Sequence, residues 1–149
     1  GKDDWGIVIL QQLKRLSDEV GLGVEFFIPQ PDEEGFVIDV FEDGFHLVGA
    51  VHGHQVARPK MFPEWWTKQA FGNSWASAAT VMVSGHFHHT CILEMGTAHT
   101  GSPRWWVQCS TMDNGSDWFA RHSGEVSNNA ITTFELTRGV SYQGEIKRL

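Results

Sequence analysis

The stretch Ala79-Thr80-Val81-Met82-Val83-Ser84-Gly85-His86-Phe87-His88-His89 decides how the rest of this chain is read. Residues 79–84 are short, nearly all apolar and closed by a glycine, the pattern of a strand buried on both faces. Behind the glycine comes a histidine cluster in place of ordinary turn residues. An earlier stretch repeats the arrangement, because the apolar run Leu47–Val51 leads directly into His52-Gly53-His54-Gln55. Two histidine clusters therefore stand at the C-terminal ends of two predicted strands, where α/β sheets carry their sites on loops with a rigid base.

Working outward, the apolar residues Trp5, Ile9, Leu10, Leu13, Leu16 and Val20 recur at three and four, which predicts an amphipathic helix over 4–20 stopped by Gly21. Runs rich in Val, Ile and Phe predict strands at 24–28, 35–41 and 45–51, the last two forming a hairpin across Glu42-Asp43-Gly44. Residues 58–72, with Pro59, Pro63 and the pair Trp65-Trp66, predict a loop entering a short helix near Pro63 or Glu64. Beyond the deciding stretch, strands are predicted at 90–95, 104–109, 130–136 and 140–146. Strands mixed with helices, with no repeat and no linker, give an α/β fold of packed β-sheets flanked by helices, occupying 1–149 as one domain.

The 149 residues include 41% hydrophobic ones, enough for a buried core. Eleven basic against 18 acidic residues leave a net charge of −7, so a broad basic surface for nucleic acid or anionic lipid is excluded and a bound phosphate must be held locally. Cys91 and Cys109 lie in separate apolar runs without a CxxC pair and read as buried free thiols. No leader and no apolar run long enough to span a membrane is found, so cytoplasm is the expected location.

Imidazole is the commonest nitrogen ligand for divalent metals. Gly53 and Gly85 let the backbone turn and approach an ion without an intervening Cβ. Isolated histidines such as His46, His99 and His122 are expected to be satisfied polar residues. The two glycine-flanked clusters are instead expected to bind metal, with His52, His86 and His88 as ligands and His54 and His89 as neighbours that orient them or touch substrate.

The motif Gly85-His86-Phe87-His88, with His52 ending the preceding strand, resembles the C-terminal half of the calcineurin-like metallophosphoesterases. The turn Ser110-Thr111-Met112-Asp113-Asn114-Gly115-Ser116 and the strand around Thr132-Thr133-Phe134-Glu135-Leu136 extend the likeness over residues 45–139 and add Asn114 as a substrate-side candidate. The resemblance implies an αββα fold and a dinuclear centre of divalent ions, Mn first and Zn, Fe or Ni as alternatives. His52 and His86 would serve one ion and His88 the other. It further implies hydrolysis of a phosphoester, with nucleic acid as a candidate substrate. The family's Asp-x-His, bridging Asp and Gly-Asn-His motifs are absent from this sequence. Three histidines without those carboxylates make a half-site with no catalytic acid of its own, expected to need an N-terminal segment or another chain.

Two other readings compete. A cupin-type centre would use His86, His88 and Glu94, although the spacing departs from that pattern. A non-catalytic interaction module would keep the phosphoesterase fold and use its surface. The tryptophans 65, 66, 105 and 106 would serve as stacking platforms for bases in a nuclease, or as core packing otherwise.

Overall fold

The computed structural model describes residues 5–30, 33–112 and 129–149. The chain gathers into two compact units, one reaching to Gly35 and the other running from Phe36 to Leu149.

In the first unit, helix α1 spans Trp5–Glu19. Its C-terminus closes as the sequence predicts. Gly21 takes φ +67°, the Gly21 N–H bonds to the Asp18 carbonyl at 3.2 Å and the Leu22 N–H to the Ser17 carbonyl at 3.1 Å. Those two bonds satisfy carbonyls that the helix end would leave open. The strand predicted at 24–28 does not form: Val24 and Phe27 are half exposed, and the segment belongs to neither sheet of the described residues. Gly23 at φ +63° on one side and Pro29 on the other make a poor strand frame.

The second unit is built on a five-stranded sheet of order β1-β2-β3-β5-β4. Its strands are β1 (Gly35–Asp39), β2 (Leu47–Val51), β3 (Val81–Ser84), β4 (Cys91–Thr97) and β5 (Pro103–Gln108). Strands β2, β3 and β5 run parallel, and β4 closes the edge antiparallel to β5. Period-two alternation in β3 and β5 sends neighbouring side chains to opposite faces, and both faces are covered.

On one face Met82 and Trp106 join Val51, Phe62, Trp66, Ala76 and Ala79 in a core supplied by helix α2 (Phe62–Phe71) and the single turn Trp75–Ser77. Phe62 stacks on Trp106 with ring centroids 4.7 Å apart, and the Trp66 indole donates to the Ala76 carbonyl at 2.7 Å. On the other face Val81 and Val107 meet Tyr142, with Phe134, Leu136 and Ile146 around them. Trp66 and Trp106 are core residues, 0% and 2% exposed, so neither is a stacking platform for bases.

The α/β class read from the sequence is the class found. The C-terminal strands are shorter than predicted, however. Within 130–136 only β6 (Thr132–Thr133) forms regular ladder among the described residues, and its partner β7 (Lys147–Arg148) lies just beyond the predicted run 140–146. The segment around Tyr142 packs onto β5 through side chains, and the Trp105 indole donates to the Tyr142 carbonyl at 3.0 Å. Gly144, at φ +81°, lies so close to the Trp105 ring that a Cβ there would enter it.

His46, as the sequence suggested, is a satisfied core residue, 1% exposed. Its Nδ1 faces Asp43 Oδ2 at 2.8 Å and its Nε2 the Val140 carbonyl at 2.8 Å. The β1–β2 connection is thereby fastened to the C-terminal segment. Cys91 and Cys109 are free and partly buried, and burial pushes both thiols up.

Candidate metal centre

The parallel register sets the site. Val51 pairs with Ser84, and Ser84 pairs with Gln108, so β2, β3 and β5 end in one row. Hydrogen bonding continues one step past the strands: the Gly85 N–H bonds to the His52 carbonyl at 3.0 Å and the Cys109 N–H to the Ser84 carbonyl at 2.8 Å. Both histidine loops therefore leave the same edge of the sheet side by side.

Gly53 explains how close the loops come. It holds φ +110°, and a Cβ at this position would lie 3.0 Å from the Gly85 carbonyl oxygen and 3.2 Å from His86 Cβ. The facing loop contains a tight turn in which the Phe87 N–H returns to the Gly85 carbonyl at 2.8 Å. The residue between them, His86, adopts φ +69°, and His88 adopts φ +60°. Positive φ is unusual for a residue with a Cβ, and such outliers cluster where a site dictates geometry.

The product of this backbone is a meeting of imidazoles. His52 Nε2 lies 3.0 Å from His86 Nδ1, with ring centroids 4.8 Å apart, and the His54 ring stands 5.5 Å from that of His52. Burial pushes the His52 imidazole below its ordinary pKa, helped by His54 and His88. His86 is lowered in the same way, first by burial and then by His52, His54 and His88. His52 and His86 are thus favoured in the neutral form that offers a lone pair.

Of the three expected ligands, His52 and His86 are brought together. His88 is within electrostatic reach of both, but among the described residues no three His, Cys, Asp or Glu side chains converge into a metal-holding group. The set His86, His88 and Glu94 does not assemble either, which removes the cupin arrangement for the described residues. His89 is turned to its own loop, its Nδ1 facing the Phe87 carbonyl at 2.9 Å. Asn114 lies outside the described residues.

The paired nitrogens suit a single divalent ion: two imidazole ligands at about 2.1 Å from one ion stand roughly 3.0–3.4 Å apart. Gln108, which the sequence reading did not single out, and Ser110, which it placed in the downstream turn, also lie against the histidine loop. Gln108 donates from Nε2 to the His89 carbonyl at 2.8 Å, and Ser110 Oγ reaches the His88 carbonyl at 3.4 Å. The one signal available in sequence was a polar residue closing the apolar run Trp105-Trp106-Val107.

No family model matches the chain, and no curated protein matches it. Among solved structures it is similar to wild-type Vps29 of Entamoeba histolytica, determined in complex with Zn2+. The two share 16% identity, with a TM-score of 0.48, over 85% of this chain and 66% of that one. This chain therefore spans just under two thirds of that neighbour's length. Among the described residues no helix is long and apolar enough to cross a membrane.

Proposed function

We propose that this chain contributes the histidine side of a divalent-metal centre for phosphoester hydrolysis, with His52 and His86 on one ion and His88 available to a second. The observation that carries the reading is the 3.0 Å approach of His52 Nε2 to His86 Nδ1 across the ends of two parallel strands. A neutral N–H···N hydrogen bond joins the two rings at this distance, and the same two nitrogens are spaced to share one divalent ion once that proton is displaced. The sequence resemblance of the Gly85–His88 motif to calcineurin-like metallophosphoesterases supplies the reaction class.

A divalent ion bound there supplies charge neutralisation for phosphate oxygens and a hydroxide at neutral pH. The chain's own part is to present neutral imidazoles from a rigid sheet edge. Gly53 and Gly85 keep the loops close enough for both to engage. Anionic ligands and a general acid must come from residues outside the described ones or from another chain, so the expected activity of this chain by itself is low.

A second reading, a non-catalytic interaction module on the same fold, is favoured by the lack of a third converging ligand among the described residues. Metal content and hydrolysis of bis-p-nitrophenyl phosphate with added Mn2+ separate the two, comparing the parent with His86→Ala/His88→Ala. Metal uptake lost in the double variant supports the metal centre, whether or not the parent hydrolyses. No uptake by the parent favours the interaction module.

A further inference from the structure

The order β3-β5-β4 has a consequence for the loop that carries His86 and His88. Strand β5 lies between β3 and β4, so the connection 85–90 must cross the C-terminal end of β5, a span of two strand spacings or about 10 Å. A short crossing with two residues at positive φ needs an anchor partway. Gln108, the last residue of β5, provides one: it is 0% exposed, pairs with Ser84 on β3 and with Cys91 on β4, and donates from Nε2 to the His89 carbonyl at 2.8 Å.

The other half of that amide is informative. Gln108 Oε1 is buried with no hydrogen-bond partner among the described residues. A buried acceptor left unpaired disfavours the folded state, and an apolar residue of equal length would avoid it. Local rules broken in this way tend to mark sites where another requirement prevails.

We propose that Gln108 is a positioning residue of the metal centre, holding the His89 carbonyl so that the loop presents His86 toward His52. The inference rests on the reading of His52 and His86 as metal ligands. Gln108 touches neither imidazole; it acts through the backbone of the loop. Groups hydrogen-bonded directly to a metal ligand change affinity about 10- to 100-fold, and Gln108, one step further out, is expected at the low end, about 10-fold.

The test is Zn2+ titration followed by calorimetry, with thermal melts and backbone amide shifts of the metal-free protein, for the parent, Gln108→Met and Gln108→Leu. The expected result is that the variants fold with a Tm close to or above that of the parent, because the lost donor and the removed unpaired acceptor offset. Amide signals of residues 86–89 should move, and Zn2+ should bind about 10-fold more weakly. Zn2+ affinity in Gln108→Met equal to that of a binding parent overturns the proposal. If neither variant folds, Gln108 is a structural requirement of the core and the proposal is likewise overturned. A parent that takes up no Zn2+ overturns the underlying metal reading, a separate outcome.

Discussion

His86 carries a Cβ at φ +69°, a conformation that costs about 1–2 kcal/mol for an L-residue, whereas glycine adopts it freely. Glycine's extra freedom in the unfolded chain takes back about 0.5–1 kcal/mol. The balance favours His86→Gly over His86→Ala by about 1 kcal/mol in a comparison of thermal melts, since both lose the exposed contact with His52 and only one keeps the strain. A more stable alanine variant would show that the backbone is not strained at this position. Asp43 offers a second test at this scale. Burial raises its pKa, but N–H groups of Phe45, His46 and Gly139 and the His46 ring outweigh that and bring it from 3.8 to about 2. A depressed carboxyl contributes stability above its unfolded pKa and loses it as pH falls through the folded one. The Tm gap between the parent and Asp43→Asn should therefore be full above about pH 4 and shrink toward pH 2. A gap independent of pH in circular dichroism melts would contradict this.

Among the elements, the pairing of two loops matters more than either loop alone. A methyl group at Gly53 would press on the Gly85 carbonyl at 3.0 Å and on His86 Cβ at 3.2 Å, both parts of the opposite backbone or its root. Gly53→Ala is expected to destabilise the protein by about 1–3 kcal/mol and to abolish measurable Zn2+ uptake in calorimetry, because separation of the loops separates His52 from His86. Unchanged uptake would mean that the loops do not act as a pair. The strands that bear these loops were legible in the sequence, since Leu47–Val51 is apolar throughout and Val81–Ser84 is apolar up to its final serine, and both lead into glycine-flanked histidines. The C-terminal strands were not. Residues 140–146 have a strand-like composition, but the Trp105 indole donates to the Tyr142 carbonyl and Gly144 lies against the ring, so side-chain packing replaces the ladder. The stretch at 24–28 misled for a different reason: it has the composition of a strand but enters neither sheet of the described residues.

For the molecule as a whole, the parallel order of β2, β3 and β5 aligns three chain segments that are distant in sequence, and no periodicity reveals that alignment. The histidines were visible in the sequence; the role of Gln108 depends on β5 lying between β3 and β4, which only the folded chain displays. With a net charge of −7, the chain offers a phosphate little general attraction, which places the burden of recognition on a local positive centre. That centre is the core of the account. Its most direct test is a two-dimensional NMR titration of the 15N-labelled imidazoles with Zn2+ in the protein as it stands. His52 Nε2 and His86 Nδ1 are expected to shift together and saturate at one ion, while His46, locked between Asp43 and Val140, does not move. Shifts spread evenly over the exposed histidines, or none at His52 and His86, would contradict it.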